Sequence, residues 1–188
     1  MKNVIILHGQ PDEAEYYDPS MPSMSNAHWI PWLQGQLLKN NIVAATPEVP
    51  YAYKPEWELW KREVERYDIT ADTLVVGHSR GGDFWLRWLS EHPNVRVGKV
   101  VLVAPSIGYL TKDRNYFGEY LLDRNLVQRT NGITVFSSDD DAANIIVSVS
   151  EIVTHIDSVN VKEFHLGHFT SDSMGSTEFP ELLAELLR

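Results

Sequence analysis

The sequence predicts an α/β fold in which a parallel sheet of about six strands carries helices on both faces, and three observations support this. Short β-branched apolar runs alternate with longer stretches of helical period, the pattern of successive βαβ units. Most of these runs are continuously apolar, as strands covered on both faces should be. The 188 residues, 43% hydrophobic, suit a single domain over 1–188 with one core, and no repeat or low-complexity tract divides them.

The expected strands are Asn3 to His8, Ile42 to Thr46, Thr73 to Gly77, Lys99 to Ala104, Ile133 to Phe136 and Val161 to His165. Asn26 or Ser25 can cap a helix running to about Lys39, and Pro55 suits the first position of one ending near Tyr67. Gly81 to Glu91, Ala142 to His155 and Glu178 to Arg188 complete the helical set. Two connections are longer than a compact unit needs, residues 10–25 and roughly 106–130. Both follow strands at the end of the sheet where α/β proteins bind ligands, so both are expected to wall a site. Six tryptophans form the pairs Trp29/Trp32, Trp57/Trp60 and Trp85/Trp88, each on one helix face. Packing against the sheet is the expected role, and an aromatic binding pocket the alternative.

Charge and composition narrow the function classes. Sixteen basic against 26 acidic side chains give a net charge of −10, which repels phosphate backbones and anionic bilayers, so neither nucleic acid nor membrane is an expected partner. The absence of cysteine removes thiolate nucleophiles, disulfides and thiolate zinc sites. The apolar stretch Val4 to Leu7 is too short for a signal peptide, and no other reaches membrane-span length, so a cytoplasmic location is expected.

Gly77-His78-Ser79-Arg80-Gly81 matches G-x-S-x-G in the one context where that pattern has mechanical meaning, between a predicted strand and a predicted amphipathic helix. Such a turn thrusts the serine hydroxyl outward, and the flanking glycines leave room for strand and helix to approach. A serine hydroxyl needs an imidazole to take its proton, and the imidazole needs a carboxylate to fix its tautomer. Both follow in that order after later strands, in Ser137-Ser138-Asp139-Asp140-Asp141 and in His165-Leu166-Gly167-His168-Phe169. Counting from Ser138 selects Asp141 as the acid, and counting from Ser137 selects Asp140. His168 is the expected base because it lies past the strand end, whereas His165 belongs to the strand and is expected to pack. His8 and His78 should be packing or hydrogen-bonding neighbours of the site.

Two backbone N–H groups, of Arg80 and of Gln10 in His8-Gly9-Gln10, are placed to hold an oxyanion if the first and third strands are adjacent. That condition corresponds to the strand order 2-1-3-4-5-6. The Arg80 side chain should pair with Asp83 one turn on, the alternative being a grip on an anionic substrate. Asp139 to Asp141 with His165 and His168 could in principle hold a divalent metal. They lack the spacing of a calcium loop, however, and no His-Glu-x-x-His pair exists, so neither metal nor cofactor is expected.

Together with Val4 to Gly9, Ala27-His28-Trp29-Ile30-Pro31-Trp32-Leu33 and Gly167-His168-Phe169, these elements resemble the small α/β-hydrolase-fold serine hydrolases related to retinoblastoma-binding protein nine and YdeN. The resemblance spans nearly the whole chain. It implies a minimal α/β-hydrolase fold without the two leading antiparallel strands or a lid domain. It also implies a triad of Ser79, Asp141 and His168, since the family acid is the last of its acidic cluster. The chain departs from the family in having Ala142 where proline often follows the acid, and in the bulky Arg80 at the elbow. The expected reaction is hydrolysis of a carboxylic ester or similar acyl bond on a small-molecule substrate, rising with pH as His168 loses its proton. The alternatives are an acyltransferase using the same serine and a non-catalytic protein-binding module on this scaffold, although no sequence feature indicates a protein partner.

Overall fold

The computed structural model describes residues 2–108 and 116–188. Six strands form one parallel sheet: β1 (Asn3–Leu7), β2 (Val43–Ala45), β3 (Thr73–His78), β4 (Val100–Val103), β5 (Ile133–Ser138) and β6 (Asn160–Phe164). Their order is β2-β1-β3-β4-β5-β6, as the sequence predicts. β3 and β4 are buried along their whole length, which explains their unbroken apolar runs, whereas β2 and β6 at the two edges are partly exposed.

Residues alternate across the sheet and divide the core in two. Ile5, Leu7, Val75 and Leu102 join Trp60, Phe84, Trp85 and Trp88 on one face. Val4, Ile6, Val76 and Val101 join Trp29, Leu33, Phe136 and Phe179 on the other. Each fully buried Phe or Leu contributes roughly 1.5–3 kcal/mol by leaving water. All six tryptophans take the packing role. Four are buried, and Trp32 and Trp57 pack partly buried against the two clusters.

The helices are α1 (Glu13–Tyr17), α2 (Ile30–Lys39), α3 (Trp57–Val64), α4 (Arg80–Glu91), α5 (Ala143–His155), α6 (Ser171–Met174) and α7 (Pro180–Leu187). Several boundaries differ from expectation. Ser25 and Asn26 lie in a separate 3-10 turn, and α2 starts after Trp29 with Pro31 in its first turn. Pro55 falls outside α3, whose N-cap is Glu56. The short helices α1 and α6 lie where loop was expected, each held at its start by a side chain: Asp12 accepts from the Glu15 amide and Thr170 from that of Ser173. Of the expected long loop 106–130, residues 109–115 lie outside the described residues. Phe117, Tyr120 and Leu126 from its second half pack into the core instead of walling a site.

Candidate active site

β3 ends at His78 and α4 begins at Arg80, so Ser79 alone makes the turn, with φ 51° and ψ −114°. A side chain other than glycine held there costs on the order of 1–3 kcal/mol, and persists only because its surroundings fix it. The Ser79 N–H donates to the Val103 carbonyl at 2.9 Å, and the Ser79 carbonyl accepts from the amides of Gly82 and Ser106 at 3.0 and 3.1 Å. The flanking glycines are steric necessities. A Cβ on Gly77 would lie 2.4 Å from the Gly81 carbonyl oxygen, and one on Gly81 would lie 2.6 Å from that of His8.

β1 and β3 are neighbours, with Leu7 paired in register to Gly77, so the turn after β1 meets the elbow. Gly9 approaches so closely that a Cβ there would sit 3.1 Å from the Ser79 Cβ. Gln10 and Arg80 both line the cleft that Ser79 lines. The Arg80 amide opens α4, where the first N–H groups have no acceptor within the helix. The Arg80 side chain is buried. Its guanidinium bonds Asp83 at 2.9 Å and the Ser106 carbonyl at 3.0 Å, buried with Asp83. Burial raises the Asp83 carboxyl above its usual range, against the pull of Arg80 and of a 2.8 Å bond from the Tyr120 hydroxyl. The helix-turn pair expected from the spacing therefore forms, and the guanidinium is committed to it.

The acidic run and the histidine loop meet beyond the ends of β5 and β6. Asp141 lies against His168, whose Nδ1 is 2.9 and 3.1 Å from its two carboxylate oxygens. A carboxylate only accepts, so Nδ1 carries the proton and Nε2 of the neutral ring is left with its lone pair. Asp140, the other acid open from spacing, instead accepts from the Ser138 hydroxyl and the Gly167 amide. His165 is neither on the strand nor packed, contrary to expectation. It stands just past β6 and exposed, bonded to Asp139 at 2.7 Å, and this carboxylate partner raises its pKa. The five-residue metal set weighed from sequence is split, with Asp139, Asp140 and His165 gathered at the surface apart from the Asp141–His168 pair.

Three residues whose part in holding the base was not read from sequence grip the histidine loop from the sheet side. His78 Nε2 donates to the His168 carbonyl at 2.8 Å, the Trp29 indole N–H donates to that of Phe169 at 3.1 Å, and the Ser171 amide donates to His28 Nδ1 at 3.2 Å. Burial, reinforced by the neighbouring His168 and His28, keeps His78 well below the usual histidine range and neutral. His8 is buried as well. Its Nδ1 donates to Gly9 and its Nε2 accepts from the Val49 amide, an arrangement that only the neutral ring can make. Burial accordingly lowers its pKa. The His28-Trp29 pair, visible in the sequence only as part of a motif, therefore helps to hold the loop that carries the candidate base.

The cleft has two lobes meeting at Ser79 and His168. One, of about 430 Å³, is bounded by Gln10, Arg80, Ser106, Asp141 and Ile145. The other, of about 230 Å³, is bounded by Met21, Met24, His28 and Asp172. Residues 10–25 thus supply walls to both lobes, as their length suggested. No tryptophan lines either one.

A parallel sheet of this order, with a serine at the turn from its third strand into a helix, defines an α/β-hydrolase. The sheet opens directly with β1, without antiparallel strands ahead of it among the described residues. Within that class the chain belongs to the serine hydrolase family, whose model matches residues 19–188. It is 28% identical over 186 residues to YdeN of Bacillus subtilis (strain 168), covering 95% of this chain and 91% of the relative. The crystal structure of the B. subtilis ydeN product superposes with a TM-score of 0.82 at 26% identity, over 100% of this chain and 97% of that one. Est1E from Butyrivibrio proteoclasticus, with a TM-score of 0.65 at 14% identity over 99% and 86%, is alike in fold. The protein is an enzyme of the hydrolase class, and among the described residues no helix is long and apolar enough to cross a membrane.

Proposed function

We propose that the protein is a serine esterase that cleaves a compact carboxylic ester through an acyl-serine intermediate. The observation that carries this reading is the contact of His168 Nδ1 with both oxygens of Asp141, made in a cleft that Ser79 also lines. Ser79 Oγ attacks the acyl carbon while its proton passes to His168 Nε2, and Asp141 orients the ring and stabilises the imidazolium. The amides of Gln10 and Arg80 receive the charge that develops on the acyl oxygen. The imidazolium then protonates the departing alcohol, and water, activated by the same nitrogen, releases the acid.

The substrate is a small molecule. The larger lobe, about 430 Å³, falls in the lower part of the range of roughly 300–1,000 Å³ typical of small-molecule sites. Incubation with a fluorophosphonate, followed by intact-mass measurement, tests the reading. A single adduct is expected on the native protein and none on Ser79→Ala. No adduct on the native protein, or an equal one on the variant, overturns it.

A further inference from the structure

The three consecutive aspartates, ambiguous as a run, have three distinct occupations. Backbone pairing of β5 with β6 runs out at Ser138 opposite Phe164, and one more ladder-like bond joins the Asp139 amide to the Phe164 carbonyl. Beyond that point side chains take over. The Leu166 amide donates to Ser138 Oγ at 2.7 Å, the Ser138 hydroxyl donates to Asp140 Oδ1 at 2.6 Å, and the Gly167 amide donates to that same oxygen at 2.8 Å. The two amides immediately before His168 are thus tied to the loop that bears Asp141.

We infer that Asp140 is a positioning residue, a carboxylate that fixes the loop carrying His168 at the distance where its Nδ1 meets Asp141. The inference rests on the reading of Ser79, His168 and Asp141 as the triad. The tie falls where the backbone ladder has ended and Gly167 turns through a left-handed φ of 53°, and it adds to the exposed His165–Asp139 bond a hold on the residue directly before His168. On the sheet side the loop is held by His78 at the His168 carbonyl and by Trp29 at the Phe169 carbonyl. Asp140 supplies the opposing hold, so the base is fixed from both directions. The other oxygen of Asp140 faces His165 Nε2 at 3.5 Å. The two bonds that matter converge on a single oxygen, and the Ser138 hydroxyl followed by the Gly167 amide holds the carboxyl below its usual range.

That convergence gives the test. In Asp140→Asn the amide oxygen can still accept both hydrogen bonds, whereas in Asp140→Ala neither survives. A misplacement of about 1 Å can cost on the order of 100-fold in rate. Asp140→Ala is therefore expected to lower kcat by about 100-fold with KM little changed, and to abolish the downfield proton resonance of His168 Nδ1–H. Asp140→Asn should restore the resonance and most of kcat. Ser138→Ala, which cuts the tie to Leu166, gives the same readout should Asp140→Ala fail to fold. Full kcat and an intact resonance in the alanine variant would overturn the inference, as would an asparagine variant as impaired as alanine. Because the resonance reports the Asp141–His168 contact without turnover, it judges Asp140 even if fluorophosphonate leaves Ser79 unlabelled, the result that instead overturns the catalytic reading.

Discussion

Glu185 and Asp141, like Asp83, are carboxylates with multiple close partners and almost no exposed side-chain surface, 5% and 2%, and they hold opposite positions in the molecule. Glu185, on α7, receives Lys99 at 3.1 Å, Lys162 at 2.7 Å and the Thr134 hydroxyl at 3.0 Å, strapping the last helix to the β4–β6 half of the sheet. Burial works against its ionisation, yet Lys162, Lys99 and Thr134 overcome that and hold its carboxyl down to about 2. Every partner of Glu185 is a terminal donor, so the cluster holds structure and passes nothing on. Asp141 meets a ring whose second nitrogen faces away from it. A buried carboxylate supports chemistry when its partner can relay a proton, and supports only the fold when its partners are fixed donors.

This contrast can be broken by removing each charge in turn. Asp141→Asn keeps the shape but takes away the carboxylate that fixes the His168 tautomer. It should lower kcat by about 10,000-fold while leaving the melting temperature near that of the native protein, measured by ester hydrolysis and calorimetry. Glu185→Gln should do the reverse, leaving turnover of the folded protein unchanged and lowering stability by on the order of 3 kcal/mol, read by denaturant titration.

Acid sharpens the second half of the contrast. Because the Glu185 carboxyl is depressed in the folded state, its contribution is complete above the ordinary value of 4.5 and is lost as pH falls from there through about 2. The gap in stability between the native protein and Glu185→Gln should therefore close over that interval. If the gap is constant with pH, the charge is not what stabilises. The smallest effect belongs to His165→Gln. Its pair with Asp139 is exposed at the surface, and kcat should change by less than about fivefold. A large loss would mean that the surface pair, and not the Asp140 tie, governs the base.

Ser79, His168 and the run Asp139 to Asp141 could be singled out because each follows a strand end, where local patterning announces the strand. Within the run, spacing left Asp140 and Asp141 open and only the family resemblance chose Asp141. The place of Gln10 beside the elbow depended on β1 and β3 being neighbours, and they are. What could not be read were the ties made across the chain. His78 to His168 spans 90 residues and Trp29 to Phe169 spans 140, and no spacing encodes them. The start of α2 was misplaced because Ser25 and Asn26 look like caps but serve a separate turn, while a proline inside the first helical turn marks the true beginning. His165 was assigned to packing because strand propensity ran one residue past the last ladder pair. The role of Asp140 was hidden because three identical residues in a row carry no internal label, and only their partners separate them.

Ser79 stands in the middle of the sheet, but Asp141 and His168 follow the last two strands at one border, and β6 there has a neighbour on one side only. Assembly of the proposed triad is therefore hostage to a local event. Peeling β6 away would carry off the loop that bears His168 and separate it from Asp141, while β1, β3 and β4 kept the tryptophans packed against them. During synthesis the same asymmetry sets the order of events. The elbow can close around Ser79 as soon as the central strands pair, and His168 meets Asp141 only when the border strand docks.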